Sequence, residues 1–183
     1  MNTAAAASVE RFLTYLSLER NAYPHTCRNY AQDLGQFFHH VRHRPVDAVT
    51  ALEIRQFVAH LSTRQAARRT IARRLSCLRS FFRFLCREET LQQNPAAAIP
   101  TPRMEQRLPS FLDEAQITRL LQTPPLSNWH GWRDRAMLET FYSTGMRAGE
   151  LVGLNREDVD EHSGVVIVRG KGKKERLCPI GTA

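Results

Sequence analysis

The sequence predicts a mainly α-helical fold in two parts, a four-helix bundle followed by a smaller α+β unit. Three observations carry this prediction. Apolar residues recur at helical spacing in four successive stretches of the first hundred residues. Pro95, Pro100 and Pro102 then deny the chain a helix and favour an extended path. A β-branched run, typical of a strand, follows only later at Val165–Arg169.

These signals divide the chain into a helical domain, a linker and a second unit, at residues 1–93, 94–106 and 107–183. Each of the four predicted helices has an apolar stripe of its own, and the third begins at a capping box of Thr50 with Glu53. Four such stripes can close a bundle. In chain order the stripes are Val9, Phe12, Leu13 and Leu16; Cys27, Tyr30, Leu34, Phe37, Phe38 and Val41; Leu52, Phe57, Val58 and Leu61; and Ile71, Leu75, Leu78, Phe82 and Leu85.

The second unit is predicted to mix short helices with a hairpin. Asp113 and Gln116 can cap a helix that carries Ile117, Leu120 and Leu121. A further helix is expected over 133–144, ended by Gly145. The strand at 165–169 is expected to pair with 175–180 across the sequence GKGKK.

Charge points to a polyanionic partner. The formal net charge is +8, and residues 1–100 supply +7 of it because they hold 14 arginines and 7 acidic residues. No signal peptide and no apolar run of membrane-spanning length is found. Cys27, Cys77, Cys86 and Cys178 form no CxxC pair, which predicts reduced thiols in a cytoplasmic protein and no metal site.

The fourth predicted helix has a second, polar face opposite its apolar stripe. Intervals of three and four residues place on it Arg69, Arg73, Ser76, Ser80, Arg83 and Arg87. Arginine forks pair with phosphates or guanine edges, and small serines let the backbone approach, so this face is predicted to bind double-stranded DNA. Two alternatives stay open: a merely solvated face, or one half of a helix-turn-helix.

Five segments, taken in order along the chain, carry a family resemblance. They are RFLTYLSLERNAYPHTCRNYAQDLGQFFHH, RTIARRLSCLRSFFRFLCREETLQQNPAAAIPTPR, LPSFLDEAQITRLL, STGMRAGELVGLNREDVD and VRGKGKKERLCPIG. Together they resemble tyrosine-type site-specific recombinases of the phage integrase family, especially Xer-like members. The first two resemble the DNA-clasping core-binding domain, which is a SAM-like helical bundle, and its linker. The last three resemble the start of the catalytic domain, its first catalytic arginine and its lysine hairpin.

The resemblance implies particular site residues. Arg147 matches the first catalytic arginine, Lys171 the catalytic lysine, and Glu150 a supporting acid. It also implies strand cleavage through a 3′-phosphotyrosyl link without cofactor or metal, and a tetramer of recombinase protomers around DNA. Alone, Arg147 could be a surface residue beyond a helix end, and Lys171 part of a charged hairpin tip.

The family's second arginine in His-x-x-Arg and its nucleophilic tyrosine have no counterpart after the hairpin. Tyr30 and Tyr142 are interpreted as packing residues, so this chain is expected to be an incomplete catalytic domain that binds DNA without cutting it. The alternatives are a non-catalytic DNA-binding protein and an unrelated helix-turn-helix regulator.

Overall fold

The computed structural model divides the chain into two compact units, residues 1–106 and 107–183. It describes residues 3–103, 108–170 and 174–181. The mainly α class is confirmed, since seven α-helices and one three-stranded sheet form in the described ranges. No helix in those ranges is long and apolar enough to cross a membrane.

The first unit is a bundle of four helices around an aromatic core. Its five fully buried phenylalanines come from three of the four helices, and Ile54 and Phe57 add the buried face of the remaining one. The helices are α1 Thr3–Leu18, α2 Pro24–His40, α3 Ala51–Thr63 and α4 Arg68–Arg87. The fully buried phenylalanines are Phe12, Phe37, Phe38, Phe81 and Phe82.

Most of the predicted helical faces are confirmed. All five residues of the α4 stripe are buried, and the Thr50–Glu53 capping box begins α3 as expected. One residue was assigned wrongly: Leu52 is 60% exposed. It lies two residues before Ile54, which is buried instead, and two residues along an α-helix point to different sides.

The segment after α4 folds back onto the bundle. A turn forms at 95–98, and Ala96 and Ile99 are buried in the first unit's core. The Arg79 side chain holds the segment by donating hydrogen bonds to the carbonyls of Ala96 (3.3 Å) and Ile99 and to the hydroxyl of Thr101 (2.7 Å). The extended path predicted for the linker is therefore wrong over 95–98.

The second unit has a smaller core beneath its sheet. Val166, Val168 and Cys178 are buried together with Met146, which follows α6. The strands alternate in burial, as a sheet covered on one face requires. In chain order its elements are α5 Glu114–Gln122, α6 Trp129–Thr144, α7 Ala148–Val152, β1 Val159–Asp160, β2 Val165–Arg169 and β3 Glu175–Pro179.

The sheet is antiparallel in the order β1-β2-β3, and Val166 lies opposite Cys178. The predicted hairpin is confirmed. Helix α6 begins at Trp129, four residues before the predicted start, because Asn128 caps it by accepting a hydrogen bond from the Gly131 amide at 3.0 Å. Gly145 ends it in the left-handed region, at φ 59°, as expected.

Candidate functional site

The polar face of α4 lies on the surface of the first unit. Arg69, Arg73, Ser76, Arg83 and Arg87 are exposed and Ser80 is half-buried, as the spacing predicts. The side chains of Arg69 and Arg83 make no hydrogen bond or ion pair with any residue in the described ranges. Their guanidinium groups are therefore free to bind an external anion.

Arg73 has an internal acidic partner that the sequence did not reveal. Its guanidinium donates to Asp33 of α2, whose side chain is 3% exposed, and Arg74 Nε lies 3.5 Å from the same carboxylate. Burial raises the pKa of Asp33 above its ordinary value, although the charge and hydrogen bond of Arg73 oppose that shift. Arg73 is therefore anchored to the bundle by an acid 40 residues away in the sequence.

Arg87 is held at the end of the same face. Its guanidinium stacks 4.0 Å above the ring of Tyr15 and lies 3.6 Å from a carboxylate oxygen of Glu19. A groove of about 490 Å³ runs beside it, and the residues with polar side chains that line it are Tyr15, Arg20, Thr26, Tyr30, Ser80, Arg83 and Arg87. The lining holds no acid, which suits a polyanion.

The second candidate site is in the second unit, at the first turn of α7. Arg147 is the N-cap of that helix, and its side chain is 77% exposed. Glu150 accepts a hydrogen bond from the Arg147 backbone amide at 2.8 Å and from Arg147 Nη1 at 2.9 Å. One exposed arginine is thus fixed at both its backbone and its side chain by one acid.

Glu150 receives a further partner from the hairpin. Arg176 of β3 donates Nη2 to Oε2 at 2.8 Å and Nη1 to Oε1 at 3.2 Å. The Glu150 side chain is 7% exposed, and these bonds, led by those from Arg176 and the Arg147 amide, lower its pKa to about 2. Glu150 is therefore an anionic bridge between α7 and the hairpin.

The base of the hairpin also lies against this bridge. The Gly170 amide donates to the Lys174 carbonyl at 2.7 Å. A Cβ on Gly170 would lie 3.3 Å from Glu150 Oε1, so glycine permits the close approach. On the same strand pair, Arg169 bonds the buried Asp158, and its Nε lies 3.0 Å from Glu175 Oε1. The predicted Lys171 lies outside the described residues.

The structure brings Arg147 and Glu150 together and adds Arg176, which sequence reasoning missed. Arg176 is 26 residues from Glu150, so no local spacing links them. The sequence offered one signal for Arg176. It lies two residues before the buried Cys178 on the same strand, and residues two apart on a strand share a face. The described ranges hold no group of three or more His, Cys, Asp or Glu residues that could bind a metal.

The two tyrosines assigned to packing differ. Tyr30 packs against the core of the first unit and its ring stacks on Phe12, as predicted. Tyr142 is 61% exposed and lines an open groove with Trp132, so its assignment as a packing residue was wrong.

Comparison with known proteins covers both units. Residues 9–89 match the family model "Phage integrase, N-terminal SAM-like domain", and residues 110–183 match the model "Phage integrase family". The first match includes the second half of α1 and the whole of α2, α3 and α4, so α3 and α4 are part of that domain rather than a separate helix-turn-helix.

Curated relatives include the tyrosine recombinases XerC of Syntrophus aciditrophicus (strain SB) and Pelobacter propionicus. Both are 42% identical, over 94% and 95% of this chain. The chain spans 59% of the length of each. Among solved structures, a lambda integrase tetramer bound to a Holliday junction superposes with a TM-score of 0.75 at 20% identity, over all of this chain and 54% of that one.

Proposed function

Since the chain belongs to the phage integrase family of tyrosine recombinases, we propose that it binds double-stranded DNA in the cytoplasm, as its part in the site-specific strand cleavage and rejoining that full-length family members carry out. The observation that carries the proposal is the exposed face of α4, on which Arg69 and Arg83 have no partner within the described ranges. Most of the chain's positive charge lies in the same unit.

The α4 face suits the groove of a duplex. Guanidinium groups bind phosphate oxygens or the O6 and N7 atoms of guanine, and the two serines between them leave room for the backbone. Arg73 and Arg87 are already oriented by Asp33 and by the Tyr15 ring, so little conformational entropy is lost when they meet DNA. Arg69 and Arg83 gain a partner only in the complex.

Within the second unit, we propose that Arg147 binds the non-bridging oxygens of the phosphate under attack. Charge grows on these oxygens in the transition state, and a guanidinium stays charged at any working pH. Glu150 holds Arg147 in place. In the reaction of full-length family members, the nucleophilic tyrosine gives up its hydroxyl proton, its oxygen bonds to phosphorus and the bond to the 5′ oxygen breaks. Lys171 then gives that oxygen its proton.

The phosphotyrosyl link conserves the broken bond for rejoining, so neither ATP nor a metal ion is required. None of Tyr15, Tyr23, Tyr30 and Tyr142 is assigned as the nucleophile. The lambda integrase structure that this chain resembles is a tetramer on a Holliday junction. We propose that this chain likewise meets further recombinase protomers on DNA.

A salt titration of duplex binding tests the α4 face. The variant Arg69→Ala with Arg83→Ala is expected to bind more weakly at every salt concentration. Its slope of log affinity against log salt should be smaller by about 0.9 for each phosphate that is no longer neutralised, or roughly 1.8 for two phosphates.

The matched control is Arg55→Ala with Arg119→Ala. Both arginines are exposed, their side chains have no partner in the described ranges and they lie outside the α4 face, so the control removes the same charge. Its slope should stay close to that of the parent chain. Equal losses of affinity in the two double variants would mean that binding follows net charge and not the α4 face.

A further inference from the structure

The carboxylate of Glu150 is shared between two arginines. Each of its oxygens accepts two hydrogen bonds, so the lone pairs of the ionised group are fully used. Arg176 supplies two of the four as a parallel fork, the strongest geometry for such a pair. Arg147 supplies the other two, one from its backbone and one from its side chain.

Because Glu150 is shared with Arg176, Arg147 keeps both free donors and uncompensated positive charge. A guanidinium has five N–H donors, and Glu150 is the only hydrogen-bond partner of the Arg147 side chain in the described ranges. With Arg176 present, two positive groups surround one negative group, which leaves a net charge of +1. Without Arg176, Glu150 and Arg147 would form a neutral pair, and the carboxylate, no longer fixed by the Arg176 fork, would let the Arg147 side chain exchange between different donor contacts.

From this geometry we infer that Arg176 is a positioning residue for Arg147, acting through Glu150 and keeping the positive charge of Arg147 available to a phosphate. The availability of Arg147 to a phosphate rests on the proposed function, whereas its positioning through Glu150 rests on the contact geometry alone. Gly170 supports the same contacts, since its lack of a Cβ lets the base of the hairpin approach Glu150 closely. The strands β2 and β3 are thereby attached to the segment that presents Arg147.

The test is nuclear magnetic resonance of the whole chain, with Arg176→Gln as the variant and Arg169→Gln as the matched control. Arg169 lies on the same hairpin and also pairs with a buried acid, Asp158, but is not bonded to Glu150. Arg176→Gln should raise the Glu150 pKa by about 1 to 3 units. The Arg147 side chain should also become more mobile, so that its Nε–H resonance moves to a motionally averaged position. Arg169→Gln should change neither.

Arg176→Lys separates charge from geometry, and it decides the question if Arg176→Gln does not fold. Lysine keeps the positive charge but offers a point donor in place of a fork. The Glu150 pKa should stay low while the Arg147 Nε–H signal averages. If that signal is unchanged in the folded Arg176 variants, or changes equally in Arg169→Gln, the inference is overturned. Because no DNA is used, this result is independent of the α4 salt titration.

Discussion

The two units are stabilised in different ways. In the first unit, five phenylalanines are fully buried and the edge-to-face pairs among them join α1, α2 and α4. In the second, four apolar residues are buried within the described ranges, while Trp129, Trp132 and Val152 stay 63%, 59% and 87% exposed. Ion pairs of two acids, the half-buried Glu150 and the buried Asp158, join its hairpin to the rest.

The difference in stabilisation matches a difference in the role of the two units. A large apolar core gives a rigid base for the α4 face, because burial of apolar area is the dominant favourable term in folding. Charged pairs stabilise less but fix orientation, which an arginine that must meet a phosphate requires. The chain's two tryptophans are both in the second unit, so their fluorescence reports that unit separately from the mostly helical circular dichroism of the first.

The largest expected effect is in the aromatic core. Phe81→Ala should destabilise the first unit by about 3 to 5 kcal/mol, since it leaves a cavity between Phe12, Phe38 and Phe82. In urea, the circular dichroism transition should move to lower concentration while the tryptophan transition stays in place. A shift of both transitions together would mean that the two units unfold as one.

A smaller loss of stability is expected when the segment after α4 is released. Arg79→Met keeps much of the side-chain length but removes the bonds to Ala96, Ile99 and Thr101. The cost should be about 1 to 3 kcal/mol, because carbonyls in this partly buried segment lose their donors. Hydrogen exchange should quicken at residues 96–99. Unchanged exchange there would show that Arg79 does not hold the segment.

Acid should weaken the second unit first. The pKa of Glu150 is about 2, below its ordinary value of 4.5, so its contribution to stability is complete above pH 4.5 and is lost as the pH falls toward 2. Asp158 and Asp160 have lowered pKa values and act in the same direction. In Glu150→Gln, the stability of the second unit, measured by tryptophan fluorescence in urea, should fall less as the pH is lowered. A pH profile identical to that of the parent chain would contradict this role.

The smallest effect is expected at the end of α6. Gly145 has φ 59°, and a Cβ there would meet no atom within 4 Å, so Gly145→Ala introduces backbone strain without a clash. The cost should be about 1 kcal/mol, seen in the tryptophan transition alone. Gly149→Ala is the control, because Gly149 lies within α7, has no positive φ and also has open space around its Cβ position. A larger loss of stability in the control would reverse this interpretation.

Local patterns predicted most of the fold. The α4 stripe, both capping boxes and the β2–β3 pairing each depend on residues close in the chain, where periodicity and capping act directly. The start of α6 was missed because the run Trp129–Trp132 has no apolar stripe, and the short helix α7 was too brief to show one.

The candidate site was only partly predictable. Arg147 and Glu150 are three residues apart, and the family resemblance marked both. The partners Asp33 for Arg73 and Arg176 for Glu150 lie 40 and 26 residues away, so only the folded chain shows them. Long-range pairs of this kind leave no spacing signal in a single sequence.

The most direct test of the account is the DNA affinity of the first unit alone, residues 1–106, measured across salt concentrations beside the whole chain. Its core is independent enough for it to fold without the second unit. A folded fragment is expected to keep most of the whole chain's salt slope, and Arg69→Ala with Arg83→Ala should lower that slope by roughly 1.8, as in the whole chain. A folded fragment with no salt-dependent binding would contradict the assignment of DNA binding to the α4 face.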